Sequence, residues 1–458
     1  MSTDAVCPDV VRRKVAWRVV PLIFVLYVIA YLDRANVGFA KLRMQEELDW
    51  LTNSVYGWGS GFFFFAGYLL LEIPGALLVE HWSARKWFCR ILLSWGAVSM
   101  AMAFVQSPWQ FHLARFLLGL AEAGFFPGVI VYLTHWFPRA DRGRALAGLV
   151  FGVPFSLALG SQMSDWIMVH NWLGVSGWQW VFLIEGAPAV LFGILVPFIM
   201  TDRPGDATWL TDAEREWLER TLQAERDEAT KSGSATLGQA LLQPSVWILS
   251  LGILATNTGG YAMGFWLPTF IDNMLKPAIA EAGDNLSKPT DALFYLGLFY
   301  FSGIVGVFVS GQSSDRTGER KWHCIAGQVG TGVFLALASQ IPGQSFAMVM
   351  VWLCLMGFCA YFWPPPFWVL PTMSMSASAA AVSIGFINIC ANIAGLIGST
   401  AVGEMKAVGY SDANCMLFGA CCYAGGGVII AFLNATPKPV IHEDHQDHQG
   451  DAPTIRRE

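Results

Sequence analysis

Long apolar runs separated by short polar stretches recur along the whole chain, without the strict alternation of a half-buried strand. Roughly 20 apolar residues in helical conformation match the thickness of a bilayer core. Backbone surrounded by lipid must satisfy its own hydrogen bonds, so each run is predicted to be a transmembrane helix and a β-barrel is excluded. The pattern predicts twelve spans, at 17–38, 54–79, 87–105, 109–134, 145–168, 178–201, 245–271, 291–311, 323–341, 346–370, 377–400 and 412–434. One long polar connection, 202–244, divides them six and six. The expected organisation is a first bundle over 1–201, a linker over 202–244, a second bundle over 245–434 and a disordered tail over 435–458. Within the linker, Thr211-Asp-Ala-Glu214 has the spacing of a capping box that opens a charged helix.

Composition agrees with a chain that lives in lipid, with 54% hydrophobic and 14% charged residues against about 25% charged in soluble domains. The basic residues before the first span suit a signal peptide, but the span is long, holds Asp33-Arg34 and lacks a small-residue cleavage site, so it is read as retained. Lys and Arg concentrate on one side of the predicted topology, 21 of 28, which makes that side and both termini cytoplasmic. The far side takes Lys41, Arg43, Lys276, Lys288 and Lys406, leaving Arg34 and Arg115 as the basic residues inside spans. Nine scattered cysteines show neither zinc-site nor redox spacing. His442, His445 and His448 lie in the polar tail and are read as part of a disordered segment. A net charge of −6 offers no basic surface for nucleic acid.

An internal repeat places Arg85-Lys86-Trp87 and Arg320-Lys321-Trp322 at one offset of 235 residues, each after the second span of a half. The repeat therefore runs parallel, as in the two halves of a major facilitator transporter. Several motifs then carry a closer likeness: Tyr31-Leu-Asp33-Arg34-Ala-Asn36 in span 1, Arg115-Phe-Leu-Leu-Gly-Leu-Ala-Glu122 with Pro127-Gly128 in span 4, Trp178-Gln-Trp-Val-Phe-Leu-Ile-Glu185-Gly in span 6, and Asp315-Arg-Thr-Gly-Glu-Arg320. The chain resembles the anion:cation symporter family of that superfamily, nearest the branch of tartrate, phthalate and 4-hydroxyphenylacetate permeases. The resemblance implies an all-α fold of twelve helices in two pseudo-symmetric bundles, and gating contacts at Glu80, Arg85, Asp315, Arg316 and Arg320. The first-half loop departs from the superfamily pattern at Glu80, His81 and Ser83. Span 5 lacks the Gly-Pro-x-x-Gly-Gly stretch of drug:proton antiporters, since Ser161 follows Gly160.

A basic side chain at the bilayer centre costs at least ~2.5–3.5 kcal/mol on insertion scales, so Arg34 and Arg115 must face a counter-charge or an aqueous interior. A guanidinium fork fits a carboxylate in bidentate fashion, which points to an organic anion. Arg34 and Asp33 project about 100° apart on a helix and need not pair. Arg115 lies near the outer end of its span, where it can instead snorkel.

Asp33 and Glu122 are the candidate proton carriers, because burial and a nearby Arg act oppositely on a carboxyl. The resemblance also implies that these two couple proton entry to anion uptake. Glu72, Asp165, Glu185 and Glu404 are further acidic residues in or near spans, each also compatible with a structural hydrogen bond.

Tyr31, Tyr68, Asn257, Tyr261, Trp266, Trp368, Asn388 and Asn392 are candidates to hydrogen-bond the cargo, or else to pack helices. Of these, the resemblance carries Tyr68, Trp368, Asn388 and Asn392 toward the central cavity. Pro364-Pro365-Pro366 predicts a break in span 10, and Gly259, Gly260, Gly264 and Pro268 make span 7 bendable. Gly124 with Gly128, and Gly148 with Gly152, have small-x3-small spacing for close helix contact.

The expected function is proton-coupled import of a small organic carboxylate through the inner membrane of a bacterium by alternating access. An exporter or antiporter of the same fold, or a non-transporting carboxylate sensor, are the alternatives. No nucleophile–base pair, metal cluster or cofactor loop emerges, so the expectation is a non-enzyme without cofactor or metal. Its partners are protons, the anion and the lipid bilayer, with no nucleic acid, and the resemblance implies a monomer.

Overall fold

The computed structural model describes residues 6–81, 83–231, 237–282, 291–340, 345–375 and 377–434. The first half contains α1 (Pro8–Glu47), α2 (Asn53–Trp58), a π turn (Gly59–Phe63), α3 (Phe64–His81), α4 (Ala84–Ala101), α5 (Pro108–Glu122), α6 (Phe125–Trp136), α7 (Arg139–Met168) and α8 (Gly177–Ile199). Two linker helices follow, α9 (Asp212–Lys231) and α10 (Leu237–Leu241). The second half contains α11 (Pro244–Ala282), α12 (Asp291–Thr317), α13 (Lys321–Ser339), α14 (Phe346–Phe362), α15 (Pro364–Phe367), α16 (Leu370–Ser374), α17 (Ala377–Ala407) and α18 (Asp412–Ala431).

Among the described residues, ten helical stretches are long and apolar enough to cross a membrane. The predicted spans 7 and 9 are the long helices α11 and α13, in which Thr256, Asn257 and Thr258, or Gln328 and Thr331, dilute the apolar run. Local chemistry sets the helix starts. Thr52, Ser83, Ser345 and Ser411 each accept a backbone N–H of the first turn, and Pro108 occupies a first-turn position where no donor is needed.

Three spans are broken. Span 2 passes through the π turn, and span 10 breaks around Pro364, Pro365 and Pro366 into the longer α14 and two short helices. Span 4 ends one helix at Glu122 and begins the next at Phe125, because Gly124 takes φ +80°, a left-handed conformation that glycine adopts without strain. A Cβ on Gly75 would lie 2.8 Å from the Gly124 Cα, so the break also brings two backbones together. Span 7, glycine-rich as it is, remains one continuous helix.

The two halves repeat each other in packing as well as in sequence. In the first half α1 packs on α7, α4 on α8 and α3 on α5; in the second α11 packs on α17, α13 on α18 and α12 on α14. These are the same pairs of spans in each bundle. The halves meet where span 2 lies along α17 and where α7 lies along α12, again a symmetric pair of contacts.

The linker packs against the first half, at the start of α1 and around the junction of α6 and α7. Thr211 and Glu214 form the reciprocal capping box, and Lys14 donates to Glu214 at 2.5 Å. Glu225 accepts from the Arg139 backbone and from the Arg142 guanidinium, while Trp209 stacks on Trp136. This end of the molecule is the linker end and the opposite one the far end.

Hydrogen bonds between the halves fall between the far end and the middle among the described residues. Tyr56 donates to the Phe265 carbonyl, Ser60 meets Ser399, Trp58 and Ser54 donate to Glu404, and Gln162 donates to the Leu293 carbonyl. The far end is therefore closed. The contact that permits it is the approach of Gly57 to Gly403, where a Cβ on Gly57 would stand 2.7 Å from the Gly403 Cα.

Gly57→Val is expected to prevent this closure while leaving each bundle folded. Spin labels across the far end should report a longer distance than in the wild type, and an unchanged distance would contradict the closure. A second expectation concerns the linker. Burial would raise the Glu214 pKa, but the bonds from Lys14 and Thr211 outweigh burial and hold it below the usual value. The Glu214 contribution to this docking is thus fully present above about pH 4.3, the ordinary glutamate value, and is lost as the pH falls from there through the depressed value of the folded protein. Limited proteolysis of the linker should accelerate over that range, by a modest factor because Lys14 is half exposed.

Candidate functional site

Arg34 sits in the middle of α1 with its side chain 16% exposed, and its Nη2 donates to Glu122 Oε1 at the end of α5. The C-terminal end of a helix carries partial negative charge, so an unpaired carboxylate is disfavoured there and a cation is favoured. Arg34 supplies that cation. Its guanidinium carbon lies 5.5 Å from the Tyr31 ring, 5.3 Å from Tyr68 and 5.7 Å from Phe64, a set of aromatic faces that each attract a cation. The pair is only partly satisfied, because Arg34 Nε and Glu122 Oε2 are buried without a hydrogen-bond partner.

Asp33 faces elsewhere. Fully buried, it accepts from Asn36 on its own helix at 2.9 Å and from Ser99 and Trp95 of α4. The adjacent residues thus join different helices, Asp33 to α4 and Arg34 to α5. Arg115 is fully buried against the same Phe64, 4.6 Å from that ring, with its Nε 3.5 Å from the Gly59 carbonyl in the π turn. Both of its terminal nitrogens lack a hydrogen-bond partner.

The second half contributes its own polar groups. Asn388 and Asn392, one turn apart on α17, both donate to Glu72 Oε1 of α3, at 2.5 and 2.9 Å. Tyr261 packs against Phe65 across the interface, with ring centroids 4.5 Å apart. Asn257 donates to the Ala391 carbonyl within its own half.

Two aromatic candidates have other surroundings. Trp266 is fully buried in the far-end closure, its indole N–H given to Ser399 and its face to Lys41, whose Nζ lies 3.5 Å from the ring centroid. Trp368 packs on Phe367, near Ile387 and Leu370.

Lys41 differs from its expected place on the far-side surface. It is fully buried between the halves, hydrogen-bonded to Thr269 at 3.0 Å and lying 4.6 Å from the Tyr56 ring. It joins Arg34 and Arg115 as a basic residue turned into the interior of the helical bundle. Its position two turns after Arg34 on α1 was the available signal, but helical spacing does not reveal the aromatic partners. The donors to Asp33, namely Trp95 and Ser99, were likewise missed, because they come from another helix.

Among the other acidic residues, Glu185 accepts from Ser164 at 2.6 Å and Glu404 joins the far-end closure. At the linker end Arg85 gives its backbone N–H to Asp202 at 2.7 Å, and Arg320 binds Asp315 and Ser314, both at 2.6 Å. Arg316 borders a surface groove with Phe308 and Gln312. The Glu80 side chain and the tail histidines lie outside the described residues.

Comparison with known proteins matches this architecture to a class. The sequence profile of the Major Facilitator Superfamily covers residues 23–399, and the chain belongs to that superfamily. It is a membrane transport protein and not an enzyme. A protein of Agrobacterium vitis named "Putative tartrate transporter" is 41% identical over 86% of this chain and 85% of its own length, consistent with the anion:cation symporter branch. The quinolone resistance transporter of Acinetobacter baumannii is 33% identical over 86% of this chain and 88% of its own. Among solved structures, the xylose transporter XylE from E. coli superposes with a TM-score of 0.67, covering 91% of this chain and 98% of that one. At 15% identity that likeness speaks for the fold alone.

Ser99→Ala removes one of the donors to the buried Asp33 carboxylate. A loss of about 1–3 kcal/mol is expected for such a deprived group, read as a lowered Tm of the purified protein, whereas Ser94→Ala, which touches only backbone carbonyls of its own helix, should have little effect.

Proposed function

We propose that the chain is a proton-coupled symporter that imports a small organic carboxylate by alternating access, with the linker end facing the cytoplasm. The observation that carries this reading is the Arg34–Glu122 pair: a guanidinium among the spans, ringed by aromatic faces, whose ion-pair partner is a carboxylate on another helix. A cargo carboxylate can replace Glu122 on the guanidinium fork. Glu122, deprived of its partner at the negative end of α5, then takes the proton that travels with the cargo. Asp33, buried among donors from α1 and α4, is the second proton site. Arg115 adds positive charge beside Phe64, while Tyr31, Tyr68, Tyr261, Asn388 and Asn392 supply hydrogen bonds and packing around the anion. The tartrate relative supports a carboxylate cargo.

Export is a second reading, favoured by the quinolone resistance relative. The direction of flux separates the two. Protein reconstituted in liposomes should accumulate labelled tartrate, gluconate or 4-hydroxyphenylacetate when the outside is made acidic, and an uncoupler should abolish accumulation. Accumulation that survives the uncoupler would remove proton coupling, and failure with all three acids would remove the carboxylate reading. Arg34→Lys keeps the charge but loses the fork, and should weaken binding of the transported acid by about tenfold or more, the equivalent of one charge-assisted hydrogen bond. In Glu122→Gln net uptake should fall to background while exchange of internal for external acid persists.

A further inference from the structure

Two donor groups of the interior are each occupied by one of the protein's own carboxylates. Arg34 is held by Glu122, and the amide pair Asn388–Asn392 is held by Glu72. The second arrangement is unusual in its detail. Both amides converge on a single oxygen, Glu72 Oε1, while Oε2 is buried without a hydrogen-bond partner and the residue as a whole is 3% exposed. An ionised carboxylate bonded at one oxygen only is poorly compensated for a place inside a membrane protein. The bond also crosses between the halves, from α3 to α17, so it lies on the boundary that moves in alternating access.

Glu72 follows Tyr68 by one helical turn, and Tyr68 covers the Arg34 guanidinium. Glu72, which holds the amide pair, therefore lies one turn, ~5 Å of rise, along α3 from the tyrosine that covers the guanidinium. The groups that face Glu72 electrostatically are Arg34 of α1, Tyr68 of its own helix and Tyr261 of α11, with the two amides presented by α17.

We infer that Glu72 is an internal stand-in for the distal polar end of the cargo, and that it carries a further proton when the cargo displaces it. With the cargo carboxylate on Arg34, its second acceptor group, a hydroxyl or another carboxylate, takes the amide hydrogens of Asn388 and Asn392. Glu72 Oε1 loses both hydrogen bonds, and the stranded carboxylate binds one proton from the aqueous side by which the cargo entered. When the cargo leaves, the amides return to Glu72 and the proton departs to the side then open. The inference rests on the carboxylate-symport reading and adds a third exchangeable proton site to it.

Calorimetry tests this on the purified full-length protein, by titrating tartrate, gluconate or 4-hydroxyphenylacetate near pH 7 in two buffers of different ionisation enthalpy. The comparison yields the protons taken up per acid bound. E72Q keeps an oxygen for the two amides but cannot titrate, and it should bind the acid with about one proton fewer than the wild type. E72D keeps a titratable group and should restore the wild-type count. A count unchanged in E72Q overturns the role of Glu72 while leaving the symport reading in place. Failure of the wild type to bind any of the three acids overturns both. Infrared difference spectra give an independent reading: the protonated-carboxyl signal that appears on binding should contain a component beyond that of Glu122, lost in E72Q, and a signal of unchanged intensity in E72Q would overturn the inference.

Discussion

The rest of the interior depends on how a guanidinium is kept at the centre of a membrane protein. Left alone, Arg34 would cost several kcal/mol in lipid. The fold brings to it a carboxylate at the end of a helix that stops for this purpose, and three aromatic faces. The halt of α5 at Glu122 requires Gly124 in a left-handed conformation, and that in turn lets span 2 approach through Gly75. A charge requirement, a backbone break and a helix contact are linked through four residues.

Closure of the far end follows the same economy of small residues and paired polar groups. Gly57 and Gly403 allow the backbones to meet, and around them Tyr56, Ser60, Trp266 and Ser399 close a hydrogen-bonded seam with Lys41 buried against two aromatic rings. Cation–π contacts can be released into water at modest cost because a hydrated ammonium is itself stable. Such a seam holds two bundles together without making their separation prohibitive, which suits a transporter of this superfamily better than a dry apolar interface would.

The parallel repeat appears at two levels that have different physical origins. In the sequence it survives as a short basic–aromatic motif after the second span of each half. In the structure it is the packing scheme itself, with equivalent pairs of spans in contact within each bundle and symmetric pairs between them. The site is not symmetric: the basic residues lie in the first half, and the second half offers amides and aromatic rings. Pseudo-symmetry thus supplies a common frame for the two halves, while asymmetry of side chains sets a charged wall opposite a neutral polar one.

The helical character of the chain, its division into two sets of spans, the capping box of α9 and the break at Pro364 to Pro366 were readable from residue order, since each depends on neighbours within a turn or two. So was the angular separation of Asp33 from Arg34. Tertiary structure decided the partners. Arg34 meets Glu122 across 88 positions, and Glu72 meets Asn388 and Asn392 across more than 300. Periodicity states which face of a helix turns inward but not which helix it will find there. The burial of Lys41 and the halt at Gly124 belong to the same category, because each is stable only when a second helix supplies an aromatic face or a close backbone.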